Sequence, residues 1–297
     1  MVVDRLQSLL ERFSVSAHMF HSGPLCGIND FDANGYGQLH LVRRGPLQVR
    51  HDGHERAVTE PSLLFYPRPM THRFVSDAAT GADMACANLA FGGGGNDPVS
   101  RALPAFVCLP LAELRGASPV LDLLFEEAFT RRCGRQAVVD RLFEVVLVLV
   151  LRHLLDSGHI TAGPLAGLGH AQLAKALTAV HERPAQAWTL DTMAAVAGMS
   201  RSRYAEVFAQ IVGQPPAGYL AQYRITLAQE ALRRGGKLER IAQEVGYGSA
   251  ASLSRAFAAV CGCSPGQWRR THRPRPVSSL AAREQALLAS RPGNPLP

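Results

Sequence analysis

The strongest constraint on the fold is a pattern that occurs twice between Leu168 and Arg270. In the first copy Thr189 offers a helix N-cap, and Leu190, Met193, Ala194 and Ala197 follow at i, i+3, i+4 and i+7. Gly198 supplies a turn residue free to take positive φ. Ser200 then caps a second helix, whose buried stripe is Tyr204, Val207, Phe208 and Ile211, ending at Gly213. In the second copy Ile241, Ala242 and Val245 precede the turn residue Gly246, and Ser249 is the cap. Leu253, Ala256, Phe257 and Val260 form the stripe there, and Gly262 closes it. Gly198 and Gly246 lie 48 residues apart, whereas Phe208 and Phe257, Gly213 and Gly262, and Pro216 and Pro265 lie 49 apart. A repeat that reproduces caps, stripes and stops together describes one supersecondary unit built twice.

A short helix, a tight turn and a second helix form the unit that lays a recognition helix in the DNA major groove. The first turn of that helix must offer polar or small side chains to bases and phosphates. Arg201, Ser202 and Arg203 stand there in the first unit, and Ala250, Ala251, Ser252, Ser254 and Arg255 follow Ser249 in the second. Arginine can pair bidentately with guanine, and serine can serve phosphates or base edges. The alternative reading of the same pattern is a helical protein-binding bundle with its arginines on a solvated face. Charge placement bears on the choice. From Leu165 to Arg273 there are 13 Lys and Arg against 6 Asp and Glu, but up to Pro164 there are 15 against 17. The chain's net +7 therefore resides in its back half, as expected of a nucleic-acid-facing domain attached to something else.

The front half has a different texture, with short apolar runs punctuated by Gly, Pro and Asp. Gln38–Val42, Leu47–Arg50, Ser62–Tyr66 and Asp83–Leu89 read as strands, and Asp52-Gly53 between two runs is a hairpin signal. Strands at this spacing predict a small sandwich or barrel. From Val120 the period becomes helical, and after Gly134 a second helix spans Gln136 to Leu155. Its apolar residues run nearly all round, which fits either packing on the sheet or a homodimer seam. Ser157 to Gly169, with four glycines and a proline, reads as a linker centred on residues 159–167. The tail after Thr271 is expected to be disordered, apart from a short helix around Ser279 to Leu288. The opening residues MVVDRLQSLLERF read as an amphipathic helix rather than a signal peptide. The apolar run Leu142 to Leu155 falls short of the about 20 residues a bilayer requires, so a cytoplasmic protein with no membrane partner is expected. The six cysteines include no C-x-x-C pair, and they are expected to be thiols.

The segments WTLDTMAAVAGMSRSRYAEVFAQIVGQPPAGYL and IAQEVGYGSAASLSRAFAAVCGCSPGQWRR resemble the DNA-binding domain of the AraC/XylS transcription regulators. The resemblance covers about a hundred residues. It implies seven helices, with Pro216 to Arg234 as the long helix joining the two units, and a domain that reads two successive major-groove segments. By position it implies base contacts from Ser202, Ala205 and Glu206, and from Ala250, Ala251, Ser254 and Arg255. Ala205 and Glu206 depart from the basic or amide residues often found there. Glu206 can accept from cytosine but repels phosphate, so the first helix is expected to lean on Arg201 and Arg203.

The front half resembles the small cupin barrels found in such regulators, through HLVRRGPLQVRHDG and PSLLFYPRPMTHRF. A cupin metal site takes an H-x-H pair, a Glu and a later His. Here His40-Leu41-Val42 replaces the pair, and His51 and His54, flanking the hairpin turn, are expected in solvent. Neither cofactor, metal nor catalysis is therefore expected, since metal-assisted chemistry needs three or four ligands with an open position. A rearranged site from His40, His72, Cys26 and Cys86 is the alternative. Cys26 and Cys86 are either inert buried thiols or, if they meet in space, a redox or electrophile sensor. The expected organisation is a multidomain α+β chain with a cupin-like β-barrel sensing domain at 1–115, a helical relay or dimerisation segment at 116–158, and an all-α double helix-turn-helix domain at 168–273. The expected function is sequence-specific promoter binding and transcription regulation, as an activator or a repressor, in response to a small-molecule or redox/electrophile signal, with RNA polymerase and, in the dimer reading, a second copy of the chain as partners.

Overall fold

The computed structural model describes residues 4–7, 10, 15–91, 100, 103–158, 160 and 162–272. The helix expected at 279–288 lies outside the described residues, as does most of the expected N-terminal helix. The chain divides into two compact units. One holds Val15–Phe91 and Pro104–His153; the other runs on from Leu154 and includes residues 4–7.

The first unit begins with nine strands: β1 (Val15–Leu25), β2 (Ile28–Phe31), β3 (Gly37–Arg44), β4 (Leu47–His51), β5 (His54–Val58), β6 (Ser62–Tyr66), β7 (His72–Ser76), β8 (Ala82–Phe91) and β9 (Val107–Pro110). They form two antiparallel sheets, ordered β1-β8-β3-β6-β9 and β2-β7-β4-β5. Phe20, Val42, Leu64 and Met84 from one sheet share a core with Phe31, Val49, Val58 and Phe74 from the other. The architecture is therefore a two-sheet sandwich, one of the two forms the strand spacing allows, and the sheets do not close into the single barrel that the cupin resemblance implies. The hairpin signal has a direct local cause. Asp52 and Gly53 both take positive φ (46° and 74°), the primed-turn geometry that matches strand twist, and they place His51 opposite His54.

Two helices complete this unit, α1 (Ser118–Phe129) and α2 (Arg135–Asp156), and the division into units falls within the last turn of α2. The helix packs on the sheet, one of the two arrangements its apolar residues allow: α2 is bolted to β1, an edge strand. Asp140 accepts from the Met19 N–H at 2.8 Å, Glu144 from the Ala17 N–H at 3.3 Å, and Gln136 donates to the Met19 carbonyl at 3.0 Å. These side chains occupy backbone groups that an unpaired strand edge would otherwise offer to another chain. The helix buries Val139, Phe143, Val146 and Val150, while Val138 and Val145 remain exposed.

The second unit is all helical: α3 (Pro164–Gly169), α4 (Leu173–Glu182), α5 (Leu190–Ala197), α6 (Arg201–Val212), α7 (Pro216–Arg233), α8 (Leu238–Glu244), α9 (Ala250–Cys261) and α10 (Pro265–Thr271). The helix α3 occupies part of the stretch expected as linker. Leu165 and Leu168 are buried, and a Cβ on Gly167 would fall 2.7 Å from Leu177 and 2.9 Å from Val212. Gly167, within the stretch expected as linker, instead lets α3 press closely on α4 and α6. Among the described residues no helix is long and apolar enough to cross a membrane.

Candidate nucleic-acid interface

The two helix-turn-helix units are α5–α6 and α8–α9. Thr189 and Thr192 cap α5 reciprocally, and Gly198 ends it at φ 67°. The Ser200 hydroxyl then accepts from the Arg203 N–H to start α6. One face of α6 buries Tyr204, Val207, Phe208 and Val212, with Phe208 against Tyr219 of α7 at 5.7 Å. Ser202 and Glu206 lie exposed on the opposite face, Arg201 and Arg203 are exposed in the first turn, and Ala205 is half-exposed. Gln210 continues that exposed stripe one turn beyond Glu206; the i+4 spacing carried this signal, which the sequence reading did not use.

In the second unit Gly246 turns the chain at φ 85° and α9 begins after Ser249. Ser249 and Ser252 form a capping box: each hydroxyl accepts the other's backbone N–H at 3.1 Å, and Ser252 also donates to the Ser249 carbonyl at 2.8 Å. Their hydroxyls are thus engaged in holding the helix start. Leu253 and Phe257 are buried, but Val260, expected in the buried stripe, is 46% exposed; at that end of α9 it is Cys261 that meets α7, its sulfur accepting from Gln229 Nε2 at 3.1 Å. Ala250 and Ser254 are half-exposed, and Ala251 and Arg255 exposed.

The electrostatics of the two helices differ. Arg203 pairs with Glu206 at 3.0 Å, and Arg201 stands 3.6 Å from Asp191. Arg255 makes no ion pair among the described residues. Exposed pairs of this kind contribute about 0–1 kcal/mol, so a phosphate can displace either acid.

The expected sensing residues are only partly brought together. His40 and His72, from opposite sheets, are both buried and meet at 3.1 Å, Nε2 to Nε2. The His72 Nδ1 lies 2.9 Å from the Met70 carbonyl and must donate to it, so its Nε2 accepts from His40. The remaining His40 Nδ1 is then a buried acceptor without a hydrogen-bond partner among the described residues. His72 stacks on Tyr66 at 4.0 Å and on Phe31 at 5.0 Å. Burial holds the His72 imidazolium down to a pKa of about 4 and lowers that of His40 well below the usual histidine range. His51 is not simply solvated: its Nδ1 is 3.2 Å from the Tyr66 hydroxyl.

The fold's usual metal does not fit this arrangement. The two histidine Nε2 atoms bond to each other, His72 Nδ1 is occupied by a carbonyl, and no group of three His, Cys, Asp or Glu side chains suited to a metal occurs among the described residues. Cys86 is fully buried beside His40 in the β3–β8 register. Cys26 is distant from it. Leu25 pairs with Ala82, and four strand residues from there to Cys86 span about 13 Å, well beyond disulfide reach.

Comparison with known proteins agrees with both halves. The cupin family profile matches residues 4–156, and a helix-turn-helix domain profile matches residues 193–271. A putative AraC-like transcription regulator of Streptomyces lividans is 35% identical over 270 residues, covering 81% of this chain and 88% of that protein. Another from Streptomyces antibioticus is 32% identical over 300 residues, covering 91% and 98%. Among solved structures, the DNA-binding domain of AdpA in complex with a target DNA is 25% identical, covers 34% of this chain and 93% of that one, and superposes with a TM-score of 0.32. With a cupin domain in front and the doubled unit behind, the chain belongs to the AraC-type transcription regulators.

Proposed function

We propose that this regulator binds promoter DNA sequence-specifically, laying α6 and α9 in successive major-groove segments, and that it acts on transcription in the cytoplasm by engaging RNA polymerase. The observation that carries the reading is the pair of recognition helices, each capped by a serine and each presenting exposed arginine beside small or polar residues near its start. Arg201, Arg203 and Arg255 supply phosphate or guanine contacts; Ser202, Glu206, Ala250, Ala251 and Ser254 shape base readout. Ser249 and Ser252 act mainly by holding the start of α9. The sandwich domain receives a small-molecule or redox signal, with the His40–His72 pair and its aromatic surround as the region where a change in packing would register. Val138 and Val145, exposed on α2, favour association with a second copy of the chain.

The test is a gel-shift titration of the full chain on its own upstream intergenic DNA against random DNA, across a salt series, with thiols reduced and oxidised. Preferential binding that weakens steeply with salt, and that falls in Arg201→Ala and Arg255→Ala, is the expected result. Equal binding to both DNAs, unchanged by either substitution, would overturn it. Sedimentation at micromolar concentration tests self-association, and a monomer there would remove the dimer from the scheme.

A further inference from the structure

One side chain of the long helix α7 touches both the loop that leads into the first helix-turn-helix unit and the turn of the second. Arg224 is half-buried at mid-helix. Its Nε donates to the Pro184 carbonyl at 2.9 Å and its Nη2 to the Gln186 carbonyl at 2.8 Å, both in the loop that leads from α4 into α5. The same guanidinium lies 5.8 Å from the Tyr247 ring centroid, in the turn that aims α9. Contact on that side is close: a Cβ built on Gly246 would fall 2.7 Å from Arg224 Nη2 and 2.8 Å from the Ala185 Cα. The turn of the first unit has no such packing, since nothing lies within 4 Å of a Cβ on Gly198. Among the described residues Arg224 has no acidic partner. Its donors go to two backbone carbonyls just ahead of the first unit while its face covers the turn of the second. A planar guanidinium combines donors fixed in its plane with a flat face for packing; an ammonium group has neither the fork nor the face.

We propose that Arg224 is a positioning residue for DNA recognition: it fixes the offset between α6 and α9, and thereby the number of base pairs separating the two segments that the protein reads. The proposal rests on the reading of both helices as major-groove readers. Two linked modules gain from each other only when their geometry allows simultaneous engagement. Inserting one base pair moves the second segment by about 3.4 Å and turns it by roughly a tenth of a helical turn. A stiff pair of recognition helices must then give up one set of contacts. A pair freed from its clamp can follow the displaced segment, at the cost of having to be ordered on binding.

The experiment starts from a two-segment duplex selected out of a random library by the full-length wild type. Wild type, Arg224→Lys and Arg224→Met are titrated on that duplex, on duplexes with one base pair added or removed between the segments, and on one with the second segment scrambled. Wild type is expected to lose about thirtyfold on the altered spacings. Arg224→Met should bind the parent duplex about tenfold more weakly, yet lose less than about threefold further when the spacing changes. On the scrambled duplex it should match wild type within about twofold. Arg224→Lys should fall between, and it carries the comparison if the methionine variant does not fold. A variant that weakens on every duplex alike and keeps the wild-type spacing penalty overturns the proposal, because loss of folded protein lowers all affinities together. A wild type that selects only a single-segment site overturns the two-groove reading itself, a result that needs no variant.

Discussion

Arg203 and Glu206 face each other at 3.0 Å across one turn of α6, both in solvent. The recognition surface therefore carries its own counter-charge. Replacing the acid with an isosteric amide frees the guanidinium and removes a group that repels phosphate. Glu206→Gln is expected to raise affinity for random-sequence DNA about three- to tenfold and to steepen the dependence of log K on log salt by about one. Discrimination between the selected site and random DNA should narrow at the same time. Fluorescence anisotropy across a salt series reads both quantities, and an unchanged slope would place Glu206 off the DNA.

The two turn glycines provide an internal comparison. Both take positive φ, 67° at Gly198 and 85° at Gly246, so alanine at either is strained by about 1–2 kcal/mol. Only at Gly246 does the new methyl also meet the Arg224 guanidinium and the Ala185 backbone. Gly246→Ala should therefore lower thermal stability clearly more than Gly198→Ala. Equal losses in a melting experiment would mean that the Arg224 contact yields freely.

The buried imidazole pair sets a pH dependence on the sandwich domain. The folded-state pKa of His72 is about 4 and that of His40 is also lowered, both by burial, against a usual value near 6.5. Below about pH 6.5 the unfolded chain binds protons that the folded chain refuses. Stability should thus be flat above neutrality and fall as the pH drops toward 4, by at most about 1.4 kcal/mol per pH unit for each histidine. The double variant His40→Leu with His72→Phe should flatten that slope in melts of the full chain between pH 7.5 and 5. A slope unchanged in the double variant would assign the effect to other groups.

Asp140 accepts from the Met19 N–H and from Gln136, both at 2.8 Å, and its second oxygen is 3.1 Å from His18 Nδ1. Asp140→Ala leaves the Met19 N–H unsatisfied on an edge strand. The expected loss is about 1–3 kcal/mol, accompanied by aggregation on warming. Light scattering during a thermal ramp, with Asp140→Asn as the milder comparison, checks both.

The second unit was largely legible in the sequence because its determinants are local. Thr189, Ser200 and Ser249 cap helices through residues three positions away, Gly198 and Gly262 stop them by their own φ, and the apolar spacing defines each buried face within two turns. Glu206 could be identified as an anomaly without any coordinates. What only the tertiary structure decided depends on contacts between residues distant in sequence. His40 meets His72 across 32 residues and two sheets, and Arg224 reaches carbonyls 38 and 40 residues earlier. Strand register alone carries Cys26 away from Cys86, although both could be placed in the same domain from their neighbours. Gly167 is as permissive in sequence as a linker glycine, and only the packing of Leu177 and Val212 reveals why no side chain fits there. The sequence by itself determined which helices form, where they stop and which face each buries, since these follow from dihedral preference and a period of 3.6 residues. Sheet partners, the edge cover of α2 and the contacts of Arg224 arise from burial across the whole chain, where many pairings satisfy the same local pattern and only the packed one buries them together.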